Sequence, residues 1–570
     1  MTASNLSPRT TKVAEYLFLR FRQLGIGSVF GVPGDYNLRL LDFLEPAGLH
    51  WVGNCNELNA AYAADGYARV NGNGLSALIT TYGVGELSAI NGIAGAFTEK
   101  AGVIHVVGTP SRSLQRNRTL VHHTLADGDY RHFAAMASHI TKAQTNLTDP
   151  RTIPEQIDWA LEQALIYSQP VYIELPDDVV DVAVLAARLA NPLSIPASPR
   201  GGDGALTEVL ERIYDARRPL ILVDGESRPL RIIDQVEELV KITGWPTWTS
   251  IFGKGLVNES LPNVYGHYRG SLGPRDWESY FESADLIINL GPHYSDTNTY
   301  TFTTIPREAV SISLSLDTVK IGAKVYHGVG NEFLKQLLQS LDKTRIPKVD
   351  GPPKTAALYA GPKADEAIAQ ASFYAFINQI FREDDLILTE TGTAGHGGRQ
   401  FKLPPRSRLF GPATWLSIGY MLPATLGVTV AKRDLTKNSN ARAILIIGDG
   451  SLQMSAQEIS TIIREKLNVI MFIINNSGYT IERAIHGRKQ AYNDIAPWRH
   501  TKALEFFGAE GGQAKSSFVA RTYGELGRVL NDERIRNGGG LRIIEVFMDR
   551  EDVQGALLHL MEKQIAAERQ

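Results

Sequence analysis

The chain reads as an α/β protein built of three doubly wound parallel-sheet domains, on three observations. Short apolar runs alternate with segments of helical periodicity along most of its 570 residues, the pattern of strand–helix–strand units in a parallel sheet. Two stretches rich in turn-forming residues, 192–204 and 343–363, interrupt that alternation and read as linkers. The length exceeds what one hydrophobic core serves. The expected division is residues 1–190, 191–360 and 361–570.

In the first block, Val13, Leu17, Phe21 and Leu24 recur at helical spacing, and Gly25 stands where that helix should end. Residues 28–32 read as a buried strand, 37–44 as an amphipathic segment, 50–52 as the start of a strand and 57–70 as a helix. Residues 75–81, 86–100 and 103–107 continue as strand, helix and strand. The second block holds apolar runs at 219–223, 285–290 and 309–314, the third at 386–389, 443–447, 469–474 and 541–547. Functional groups of such sheets gather at the carboxyl ends of the strands.

The third block carries the strongest chemical signal at those ends. The run 443–447 stops at Gly448-Asp449-Gly450-Ser451, and the run 469–474 stops at Asn475-Asn476. Neighbouring strands would bring an Asp carboxylate and an Asn amide to one sheet edge. Hard oxygen ligands suit magnesium, which bridges phosphate oxygens. The glycines let backbone N–H groups approach a phosphate. Ser455, with Glu458 three residues on, reads as a capping box opening the next helix. Gly-Asp-Gly alone is more often a plain turn; the spaced Asn-Asn makes the pair specific for a magnesium diphosphate.

Bulk properties exclude other classes. The formal net charge is −3, with 43% hydrophobic and 21% charged residues, so nothing biases the chain toward nucleic acid or a membrane surface. One cysteine, Cys55, rules out an internal disulfide framework and fits a reducing compartment; its expected place is a small buried hydrophobe. No apolar run is long enough to span a bilayer. The first ten residues are polar, without a secretory signal, and Glu568-Arg569-Gln570 is not a peroxisomal address.

Five further stretches carry a family likeness: residues 31–37 (GVPGDYN), 56–59 (NELN), 122–125 (HHTL), 417–420 (SIGY) and 479–482 (YTIE). With the Gly-Asp-Gly and Asn-Asn pair, the chain resembles the thiamine diphosphate-dependent 2-oxo acid decarboxylases over nearly its whole length. The resemblance implies pyrimidine-binding, central and diphosphate-binding domains in that order, with thiamine diphosphate and Mg2+ as cofactors. It implies Asp449, Asn476 and the carbonyl of Gly478 as metal ligands. Gly448, Gly450, Ser451, Tyr479, Thr480 and Ile481 would join Asp449 and Asn476 in binding the cofactor. Glu57 would meet the aminopyrimidine ring, carbonyls near Thr393 and Leu416 its exocyclic amine, and Ile418 would prop the cofactor in its bent form. The reaction implied is loss of carbon dioxide from a 2-oxo acid with release of an aldehyde, the cofactor acting as electron sink.

The resemblance also assigns catalytic groups: Glu57, Glu482 near the substrate carboxylate, Asp35 and His123 in protonation and release, and His122 as a structural or relay group. Taken singly, Glu57 is a solvated charge at a helix start, Asp35 a turn residue, and Glu482 a helix-surface charge. Adjacent histidines on a loop, without HxxxH spacing, are poor joint metal ligands; histidine relays protons near neutral pH. The chain departs from the family pattern at Leu416, where Gly is usual, at Ser477, where an acid is common, and at Ala126-Asp127 in place of Gly-Asn. Gly395-His396 is small and polar where some members carry aromatic bulk, which together with Ile481 and Ile485 suggests room for larger apolar 2-oxo acids. A thiol is absent near residues 223–225, where some members carry an activating cysteine. The family assembles its site between subunits, which implies a homodimer at minimum and a homotetramer as the common form, in the cytoplasm, without nucleic-acid or membrane partners. The rival readings are a carboligase or acetolactate-type synthase, and a catalytically inactive regulatory relative.

Overall fold

Buried strands are what most of the apolar runs become; the run at 309–314 is strand only over Ser311–Leu314, after a 3-10 turn at Glu308–Val310. The computed structural model describes residues 10–195, 203–330, 332–354, 361–437 and 441–568. The first nine residues, most of the first expected linker, six residues of the second and Arg569-Gln570 lie outside the described residues. The chain divides into two compact units, one of residues 1–196, 422–441 and 455–467, the other of residues 197–421, 442–454 and 468–570.

The first unit is organised around a six-stranded sheet, parallel throughout. Its order is His50–Trp51, Ser28–Gly31, Leu75–Thr81, Gly102–Thr109, Val171–Pro176 and Ala143–Asn146. Every residue of Leu75–Thr81 and Gly102–Thr109 is buried, as both faces of a doubly wound sheet require. The helix Val13–Gln23 ends where expected, with Gly25 at φ +73° just past its cap. The predicted helix 57–70 forms as Glu57–Val70, with the Asn56 side chain accepting from the Asn59 N–H at 2.8 Å. The amphipathic segment 37–44 is helical only over Leu38–Leu41.

The second unit holds two sheets. One has seven strands in the order Val264–His267, Thr247–Thr249, Pro219–Val223, Leu286–Leu290, Ser311–Leu314, Thr318–Ile321 and Lys324–His327. Its first five are parallel; the last two add an antiparallel hairpin. The other has six parallel strands in the order Arg408–Phe410, Leu386–Thr389, Arg442–Gly448, Asn468–Asn475, Leu541–Phe547 and Ser517–Ala520. Chain order reverses between Leu386–Thr389 and Arg442–Gly448, and ligands of open α/β sheets sit beyond the carboxyl ends at such a reversal. No helix among the described residues is long and apolar enough to cross a membrane.

Two local expectations fail. Ser455 and Glu458 do not open a helix as a capping box. The helix Glu458–Arg464 starts at Glu458 itself, with Gln457 as cap and no side-chain cap bond. The Glu458 carboxylate instead accepts from Asn54 Nδ2 at 2.8 Å, so a tertiary partner outcompetes the local one. Cys55 is exposed rather than buried.

Candidate active site

In the second unit, parallel pairing of Arg442–Gly448 with Asn468–Asn475 sets their carboxyl ends side by side. Asp449 opens a four-residue turn of helix, Asp449–Leu452, and is 1% exposed. Its Oδ1 accepts from the Gly450 N–H and its Oδ2 from the Ser477 N–H, each at 2.8 Å. Burial pushes its carboxyl up to about 6, opposed by those backbone donors. Gly448 and Ser451 flank it, the latter buried.

Asn475 and Asn476 part ways. Asn475 Nδ2 donates to Glu545 Oε1 at 2.7 Å, and Glu545 also meets His500 Nδ1 at 2.8 Å. Asn476 turns toward Asp449. One end of its amide lies 3.1 Å from Asp449 Oδ1 and 2.9 Å from the Gly478 carbonyl oxygen; the other end lies 2.9 Å from Thr480 Oγ1. With its NH2 inward, the amide donates to both oxygens. Turned over, the amide would present its carbonyl oxygen at the same point, beside those of Asp449 and Gly478. By atom type the set fits Mg2+.

The loop after Asn476 is fixed by its backbone. Gly478 has φ +138°, and a Cβ there would lie 2.1 Å from the Asn493 carbonyl, so only glycine fits. The Tyr479 N–H donates to that same carbonyl at 3.0 Å. Arg483, fully buried, donates to the Asn493 carbonyl at 2.9 Å and pairs with Asp494. Its position gave no sequence signal, because most of what it holds is backbone. The helix Thr480–Ile485 carries Ile481 half-buried and Glu482 exposed. Gln564, on the helix Ala556–Glu568, donates to the carbonyls of Arg483 and Ala484 at 2.8 Å.

The neighbouring strand Leu386–Thr389 leads into Glu390 and the helix Thr393–Gly398. The Thr393 carbonyl lies 2.8 Å from the Tyr374 hydroxyl. Leu416 sits at φ +53°, the left-handed conformation that glycine adopts freely and that costs other residues about 1–2 kcal/mol. Ser477 is left-handed too, at φ +60°. Leu416 and Ile418 are half-buried. His293 bridges to this loop, with Nδ1 3.1 Å from Glu226 Oε1 and Nε2 2.7 Å from Thr414 Oγ1. Gly395 has its own packing reason: a Cβ there would lie 3.0 Å from the Glu390 carbonyl. His396 is held far below the usual histidine range, at about 3, by burial and then by Arg399.

In the first unit, Asp35, His122 and His123 come together, their ligand-type atoms all within 4.8 Å of one another. Asp35 Oδ2 lies 2.5 Å from His122 Nε2. The His122 ring stacks on Tyr36 at 5.0 Å, and His123 stands edge-on to His122 at 4.7 Å. Adjacent residues converge this way because His123 is left-handed, φ +65°. Its carbonyl would lie 2.2 Å from a Cβ on Gly83, so glycine is required there. His123 Nδ1 is buried without a hydrogen-bond partner among the described residues. Glu57, the first residue of its helix, has its carboxyl raised by burial. Gly85 leaves it room, since a Cβ there would lie 2.9 Å from Glu57 Oε1.

Known families match along the chain. The N-terminal TPP binding domain of thiamine pyrophosphate enzymes matches residues 11–133, the central domain 206–338 and the C-terminal TPP binding domain 390–546. A pyruvate decarboxylase of Aspergillus parasiticus is 50% identical, the match covering 98% of each chain. One of Aspergillus fumigatus is 40% identical, over 96% of this chain and 95% of its own. Pyruvate decarboxylase isozyme 3 of Saccharomyces cerevisiae is 38% identical, over 96% and 97%. Over three α/β sheets, these likenesses show that the chain belongs to the thiamine pyrophosphate enzymes and is a thiamine diphosphate-dependent 2-oxo acid decarboxylase, a carboxy-lyase.

Proposed function

We propose that the enzyme converts pyruvate to acetaldehyde and carbon dioxide, with Mg2+ held by Asp449, Asn476 and the Gly478 carbonyl. The observation that carries the metal assignment is the meeting of Asp449 Oδ1 and the Gly478 oxygen at one end of the Asn476 amide, 3.1 and 2.9 Å away. The substrate follows from the pyruvate decarboxylases at 38–50% identity. Gly448, Gly450, Ser451, Tyr479, Thr480 and Ile481 would hold the bound cofactor with the metal ligands, and Ile418 would support it. When bound, thiamine diphosphate supplies the electron sink for the bond to the departing carboxylate.

The protein's own groups then bind, hold and move protons. Glu57, raised by burial, offers its carboxyl to a ring nitrogen of the aminopyrimidine, and backbone oxygens of Thr393 and Leu416 orient the exocyclic amine. Glu482 faces the substrate carboxylate. Asp35 and His123 serve protonation and aldehyde release, and His122 Nε2, beside Asp35 Oδ2, relays a proton between them. Interacting groups this close titrate as a set. In this reading the three domains span residues 1–190, 191–360 and 361–570, and the first domain of one copy works on cofactor held by the third domain of another. A homodimer is the least unit, a homotetramer the working form, and the cytoplasm its place.

A panel of 2-oxo acids assayed with thiamine diphosphate and Mg2+ tests this reading. We expect acetaldehyde and carbon dioxide in equal amounts from pyruvate, and a Glu57→Gln variant that keeps its fold but loses about 100-fold or more in kcat. Branched hydroxyketones as the main product would transfer the assignment to a carboligase. Cofactor binding without turnover of any 2-oxo acid would favour an inactive relative.

A further inference from the structure

We propose that Glu390 is a positioning residue for decarboxylation: its buried carboxylate ties the turn at residues 391–393 to the turn at 419–421, and so sets the separation of the segments that carry Thr393 and Leu416. The proposal rests on reading those two residues as contacts of the aminopyrimidine.

Glu390 follows the last residue of the strand Leu386–Thr389, at the side of the chain-order reversal facing Arg442–Gly448. Its N–H donates to the Ile446 carbonyl at 2.9 Å, so the strand ladder anchors its backbone. The side chain is fully buried. Oε1 accepts from the Thr391 N–H at 2.8 Å and Oε2 from the Met421 N–H at 2.9 Å. One carboxylate thus stitches together segments about 30 residues apart in sequence.

Its cost argues for a purpose. Among the described residues no salt bridge reaches Glu390, and burial lifts its carboxyl to about 7. A buried acid without a cation is an expensive way to bind backbone amides. What it offers is two acceptor oxygens of one rigid group, each taking an N–H from a different segment; a glutamine has only one. Both segments are conformationally demanding. Gly392 sits at φ +104° and Gly419 at +88°, with Leu416 left-handed between the two turns. Backbone held in such conformations persists only where its surroundings over-determine it.

The test compares wild type, Glu390→Gln and Glu390→Asp by thermal melting, thiamine diphosphate titration with Mg2+, and pyruvate kinetics at saturating cofactor. Glu390→Gln should weaken cofactor binding and lower kcat by about 10-fold each, with KM for pyruvate changed less than about 2-fold. Glu390→Asp keeps the charge but shortens the reach, and should fall between. Variants that melt earlier yet bind cofactor and turn over as wild type does would reduce Glu390 to a structural role and overturn the proposal. Should both variants fail to fold, hydrogen exchange on wild type decides: added cofactor should slow the amides of residues 417–421, and unchanged exchange overturns the proposal. Wild type that binds no thiamine diphosphate would overturn the cofactor reading beneath it as well.

Discussion

The oxygen cluster at Asp449 and the histidine cluster at Asp35 are built in opposite ways. Asp449 is 1% exposed, clasped by two backbone N–H groups, and its loop admits only glycine at position 478. The Asp35 and His122 side chains are 49% and 58% exposed and are held chiefly by each other and by a tyrosine ring. On the proposed assignment the first cluster holds a cation, which asks for oxygens fixed to within tenths of an ångström, and backbone does that. The second, proposed to handle protons, must exchange them and admit substrate, and exposed side chains on a loop suit that.

The contrast can be broken at its rigid end first. Asp449→Ala removes the proposed charged ligand and the acceptor for two N–H groups. Activity should fall by more than about 100-fold even at high cofactor, read as acetaldehyde formation, and added Mg2+ should not restore it. Retention of a tenth of wild-type activity would remove Asp449 from the metal site.

A second prediction concerns what underlies the histidine loop. Glu86, buried, accepts from the Tyr172 hydroxyl at 2.6 Å and from the Gly83 N–H at 2.8 Å; Gly83 in turn abuts the His123 carbonyl. Burial lifts its carboxyl to about 7 against the lowering by the Tyr172 and Gly83 donors, with smaller contributions upward from Glu174 and downward from Arg131. The folded state therefore favours protonated Glu86. That contribution is complete below about pH 4.5 and is lost as pH rises through about 7. Relative to wild type, Glu86→Gln should gain about 1 kcal/mol in urea melts between pH 6 and 8. An equal difference at both values would contradict it.

The smallest effect belongs to Leu416. Glycine should relieve its left-handed backbone, and Leu416→Gly should raise stability by up to about 1 kcal/mol, since part of the relief is offset by the freer unfolded chain. A fall of that size would mean the side chain's packing outweighs its strain.

Much of the fold is legible in the sequence. Buried runs such as Leu75–Thr81, Pro219–Val223 and Leu541–Phe547 announce themselves because two covered faces leave no polar alternation. Short edge strands such as Ala143–Asn146 and Ser517–Ala520 are half-covered and carry no such run. The antiparallel hairpin at the end of the seven-stranded sheet is hidden similarly: Lys324–His327 is mostly exposed. Within the site, Asp449 and Asn476 stand out because strand ends put them in register. Glu390 and Arg483 do not, since they act on backbone groups that only the folded chain brings near. Leu416 was visible as a departure from the family, but its left-handed backbone was not.

Binding of thiamine diphosphate, titrated by calorimetry with Mg2+ and again in excess chelator, tests the central claim most directly. The proposed metal site at Asp449, Asn476 and Gly478 predicts binding that weakens at least about 100-fold without the cation and returns when Mg2+ is restored. Equal affinity in chelator would mean that Asp449, Asn476 and Gly478 hold no metal and that the diphosphate is bound by other means.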